Sequence, residues 1–167
     1  MTAMPTSTDA LDLAKTGDRA IVMTRSFDAP RGTVFDCLVR PDLLKRWLNG
    51  PDGWTMTVCE VDLSEDGPYR FEWEGPDSAR MGMSGVHRDI ARPDRLSNTQ
   101  RFDHDATGGE VQGTVVLTER DGRTVLTDTL TYPSPEARDA AVDFGMEQGV
   151  AASYDRLAAL LASLQAE

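Results

Sequence analysis

The spacing of hydrophobic and polar positions changes period along the chain. RAIVMTRSF (19–27) alternates, with Ile21, Met23 and Arg25 on one face, Val22, Thr24 and Ser26 on the other, and Ala29-Pro30 as a stop. This predicts a strand. The period then lengthens: Val34, Phe35 and Leu38 share a helical face in RGTVFDCLV, and in PDLLKRWLNG Pro41 opens a second short helix. Leu43, Leu44, Trp47 and Leu48 form its apolar face. A helix of about two turns is not stable alone in water, so Trp47 must pack against something larger.

Alternation returns in six further runs: WTMTVCEVDL (54–63), PYRFEWEG (68–75), ARMGMSGVHRDI (79–90), RLSNTQRFD (95–103), GEVQGTVVLTER (109–120) and RTVLTDTLTY (123–132). Their separators NGPDG, SEDG, ARPD, HDATGG and DG carry turn chemistry, and Asp121-Gly122 predicts a tight hairpin. Trp54, Met56, Val58, Glu60 and Asp62 are expected on one face of the first run, and Tyr69, Phe71 and Trp73 on the buried face of the second. From Ser134 the period becomes helical. Val142, Met146, Val150, Tyr154, Leu157, Leu161 and Leu164 follow at steps of 4, 4, 4, 3, 4 and 3, which predicts one long amphipathic helix over 134–164, capped by Ser134 with Pro135 first.

The order strand, two short helices, six strands and a long helix predicts an α+β fold. A twisted antiparallel sheet of six to seven strands must bury one face, and the C-terminal helix is the element long enough to cover it. The two short helices then plug one end of the space between them. Residues 18–167 read as one domain and residues 1–17 as a flexible tail, able to fold partly as a small helix. No internal repeat is visible.

Composition narrows the function classes. Seventeen basic against twenty-eight acidic residues give a net charge of -11, which opposes a nucleic-acid partner. No apolar run approaches the roughly 20 residues of a membrane span, and the N-terminus lacks the basic and apolar regions of a signal peptide, so a cytoplasmic location is expected. Cys37 and Cys59 form no CxxC and no cluster with histidine, and read as reduced, buried thiols. No zinc-type spacing, GxSxG elbow or other cofactor motif appears, so no metal and no cofactor are expected.

The phrases FDAPRGTVFDCLVRPDLLKRW, VCEVDLSEDGPYRFEWEGPD, GVHRDIARPDRLSNTQRF and YPSPEARDAAVDFGMEQGVAASYDRLAALL resemble the SRPBCC superfamily, in the branch similar to activators of the heat-shock-protein-90 ATPase. The resemblance spans residues 19–164. It implies a helix-grip (START-like) fold, a curved sheet gripping a long C-terminal helix around a cavity for apolar molecules. Relatives often carry two adjacent tryptophans where this chain has Trp47-Leu48.

Tyr69, Phe71 and Trp73, with Met81, Met83 and His87 on the next strand, would line a common wall suited to an apolar ligand, or would simply fill a core. Gly145, Gly149 and Ser153 form a small-residue strip on the long helix, either for close strand approach or for room above a ligand. Gln100 and Arg101 face opposite sides of their strand. If Thr99 and Arg101 point inward, Arg101 would hold an anionic group; otherwise it is a surface arginine. The expected cavity set is Trp47, Trp54, Tyr69, Phe71, Trp73, Met81, Met83, His87, Arg101, Met146 and Gly149. The expected partner is a small apolar molecule. A cyclase- or aromatase-like enzyme using His87 or Arg101 and a co-chaperone binding a chaperone are the alternatives that the resemblance brings, and a homodimer is left open.

Overall fold

The computed structural model describes residues 10–104 and 108–166. Among them, eight strands form one antiparallel sheet: β1 (Asp12–Thr16), β2 (Ala20–Phe27), β3 (Thr55–Val61), β4 (Pro68–Glu74), β5 (Arg80–Ala91), β6 (Arg95–Phe102), β7 (Val111–Arg120) and β8 (Arg123–Thr131), in the spatial order β1-β2-β8-β7-β6-β5-β4-β3. Helices α1 (Arg31–Val39) and α2 (Pro41–Trp47) follow β2, and α3 (Pro135–Asp143) and α4 (Met146–Gln165) follow β8. The β7–β8 turn is tight because Asp121 and Gly122 both take positive φ, 54° and 79°. Pro41 stands in the first turn of α2, and the Ser134 hydroxyl accepts from the Ala137 N–H at 3.1 Å to cap α3.

Three expectations are corrected. Residues 12–16 are not tail but the edge strand β1, paired along β2 from Asp12↔Thr24 to Thr16↔Ala20. Leu13 packs on the core beneath and Lys15 meets Asp139 at 2.9 Å, so the strand is held by few contacts and its alternation is correspondingly faint. Residues 1–9 lie outside the described set. The long helix is two helices, because Gly145 adopts φ +91° and ends the first run after Asp143. In β3 a bulge between Met56 and Val58 shifts the pairing, so that Cys59 opposes Phe71 and Val61 opposes Tyr69. Beyond the bulge Cys59 and Val61, rather than Val58 and Glu60, pack on the core.

Two clusters make that core. Phe27, Phe35, Leu44, Trp47, Leu157 and Leu161 belong to the larger, beneath α1, α2 and α4, where Phe27 meets Tyr154 edge-on at 5.8 Å. Ile21, Met23, Val111, Leu130 and Tyr132 form the smaller, against which Ala137, Ala141 and Val142 of α3 pack. Trp47 pins the plug: its Nε1–H donates to the Cys37 carbonyl at 2.8 Å, and its own carbonyl accepts from Arg156 of α4 at 3.0 Å. The curved sheet closed by its C-terminal helix is the helix-grip fold.

Candidate functional site

A pocket of about 530 Å³ lies between the concave sheet face and α4, lined by residues of both core clusters. Strand alternation builds one end of it from apolar groups. Register places Trp73 opposite Met81 and Phe71 opposite Met83, and Met83 opposite Phe102; all five line the pocket. Trp73 is fixed by donating Nε1–H to the Leu48 carbonyl at 2.7 Å, which ties this wall to the end of α2. Tyr69 and Trp47 also line it, and the Tyr69 hydroxyl donates to the Thr99 carbonyl at 2.5 Å. Desolvation pushes the Tyr69 phenol well above its ordinary range.

The other end is polar. His87 pairs with Asn98, and Asn98 with Gly113, so one row across three strands carries an imidazole, an amide and a bare backbone. Gln100 lies above Gly113, where a β-carbon would come within 2.7 Å of its Nε2, and it donates to Asn98 Oδ1 at 3.2 Å. Buried His87 sits with Nδ1 3.1 Å from the Asp62 carbonyl and 3.2 Å from that of Gly67. Two acceptors there require Nδ1 to carry the proton.

On β8, Asp128 is half-buried and lines the pocket. Loss of hydration pushes its carboxyl from an ordinary 3.8 to about 7, partly offset by a hydrogen bond with the Tyr154 hydroxyl. Tyr154 itself is raised well above 10, by burial and then by the Asp128 charge. From α4, Met146, Gly149 and Ser153 complete the roof. Gly149 is exposed at the pocket rim and a β-carbon there would meet nothing within 4 Å, so this glycine does not serve the close approach of a strand.

Nine of the eleven expected residues therefore come together: Trp47, Tyr69, Phe71, Trp73, Met81, Met83, His87, Met146 and Gly149. Two do not. Trp54 lies over Gly75, where a β-carbon would come within 2.4 Å of the indole ring. Arg101 is exposed, because Leu96, Asn98, Gln100 and Phe102 are the inward set of β6. Asp128, Tyr154, Asn98 and Gln100 were not anticipated as site residues. Asp128 had a signal: it stands at the alternate position between Leu126 and Leu130, both buried. Another recess, of about 380 Å³ around Arg70, Glu72 and Asp103, is a weaker candidate because Asp103 already takes Arg70 in two hydrogen bonds of 2.7 and 2.6 Å. Among the described residues no group of three or more His, Cys, Asp or Glu is arranged to hold a metal, and no helix is long and apolar enough to cross a membrane.

A sheet gripping a C-terminal helix over a pocket apolar at one end and polar at the other defines a helix-grip domain. Within that class, residues 28–162 match the family described as activator of Hsp90 ATPase homolog 1-like protein, and the chain belongs to that family, part of the SRPBCC superfamily. A crystal structure of a Rhodobacter sphaeroides protein superposes with a TM-score of 0.87 at 30% identity, over 92% of this chain and 99% of that one. A solution structure from Arthrobacter aurescens gives 0.79 at 25% identity, covering 91% of each chain. A Nitrosomonas europaea crystal structure, at 21% identity with a TM-score of 0.80 over 92% of this chain and all of that one, shows the shared fold. No curated protein matches the chain.

Proposed function

We propose that the protein is a cytoplasmic binding protein whose pocket takes a small, largely apolar ligand with an aromatic or extended body. The observation that carries this is the wall that Trp73, Met81, Phe71 and Met83 present to the pocket. Gly149, at a helix position where glycine costs about 1 kcal/mol relative to alanine, stands exposed at the pocket rim and leaves it free of a side chain. Rings and thioethers are polarizable and adaptable, which suits apolar guests of varied outline. A catalytic role for His87 and Arg101 has less support, since Arg101 is exposed and the His87 Nδ1 is engaged by two backbone carbonyls.

The uncharged fluorophore Nile red tests the reading. Saturable one-to-one binding is expected in the native protein, weakened at least about tenfold by Gly149→Leu in a variant that keeps its circular dichroism spectrum. Absence of saturable binding, or binding indifferent to Gly149→Leu, would overturn it.

A further inference from the structure

We propose that the pocket selects an amphipathic amine, its ammonium group held by the Asp128 carboxylate beside Tyr154 and its apolar body lying along Phe71, Trp73 and Met83. This deepens the reading above and rests on it. Asp128 stands between Met23 of β2 and Val115 of β7 in the sheet register, and all three line the pocket. An acid on an otherwise apolar strand face is costly unless something offsets its charge. The basic side chain on the neighbouring strand face does not: Arg25 is buried, bonded to Asp155 at 2.7 Å, and its guanidinium lies over Phe27 at 5.3 Å. The side chain bonded to Asp128 is the neutral Tyr154 hydroxyl, which occupies one of the roughly four lone-pair positions of a carboxylate.

An incoming ammonium supplies the missing counter-charge and takes the remaining positions in charge-assisted hydrogen bonds. Tyr154 and Trp47, with ring centroids 6.2 Å apart, both line the same pocket and offer it aromatic surface. The net charge of -11 draws cations toward the protein and disfavours an anionic competitor. The titratable groups that interact with Asp128 are Tyr154 from α4 and Tyr132 just past the end of β8; Arg25 of β2 pairs with Asp155 of α4, His87 lines the pocket, and Val115 of β7 brings no charge.

Three probes on one ring system, naphthylmethylamine, naphthylmethanol and naphthoate, are set to displace Nile red at about pH 8 and about pH 6, the two sides of the Asp128 titration. The amine is expected to bind at least about tenfold more tightly than the alcohol at the higher pH, with naphthoate weakest and the preference shrinking at the lower pH. Asp128→Asn keeps an acceptor for Tyr154 and should bring amine and alcohol within about threefold of each other. An amine no tighter than the alcohol in the native protein, or a preference that survives Asp128→Asn, refutes the proposal while Nile red binding still supports a ligand pocket. Failure of Nile red and all three probes to bind rejects both.

Discussion

A β-carbon on Gly85 would lie 1.8 Å from the Thr99 carbonyl oxygen, whereas one on Gly149 meets nothing within 4 Å. The first glycine lets β5 and β6 close up while Thr99 accepts from Tyr69; the second stands exposed at the pocket rim. Gly85→Ala should therefore cost more than about 3 kcal/mol or prevent folding, while Gly149→Ala should be neutral or gain up to about 1 kcal/mol from helix propensity. Urea unfolding of the two variants checks this, and equal effects would contradict the assignment. At this scale the apolar wall was legible because Tyr69, Phe71 and Trp73 keep strict alternation. The polar end was not. On β6 only Leu96 and Phe102 mark the inward phase, and Asn98 and Gln100 between them hide it, which is how Arg101 came to be a candidate.

Elements were legible where local chemistry sets them, as at the Ser134 cap and the Asp121-Gly122 turn. The break between α3 and α4 was masked because Val142 and Met146 are four apart, so the apolar stripe runs across it unaltered. What decides the break is the left-handed conformation of Gly145, where an L side chain is strained. Gly145→Ala is expected to destabilise the protein by about 1–3 kcal/mol, and Gly145→Asn by less, since asparagine tolerates that conformation better. Equal losses in thermal unfolding would argue against backbone strain as the cause. The β3 bulge was hidden for a different reason: one inserted residue reverses the alternation that sequence reading assumes continuous.

For the whole molecule, the pocket marks where burial is incomplete, and Asp128 links it to pH. Its carboxyl is raised from 3.8 to about 7 on folding. Between those values the folded state holds a proton that the unfolded chain has released. Stability from this group is thus fully present below 3.8 and lost as pH rises through about 7. Asp128→Asn, which cannot ionise, should gain stability relative to the native protein between about pH 5 and pH 8, read as a widening gap in urea midpoints. A constant gap would mean that Asp128 titrates normally. The family likeness fixes the architecture around this pocket but leaves its guest to be identified by chemistry.

The central claim is that a ligand enters this space, and methyl NMR of methionine-labelled protein reads it directly. Of the seven methionines, Met23, Met81, Met83 and Met146 line the pocket, while Met56 is buried on β3 outside it. Titration with Nile red is expected to shift those four methyl signals through aromatic ring currents and to leave Met56 in place. Saturable binding with the four signals unmoved, or with shifts led by Met56, would contradict the account.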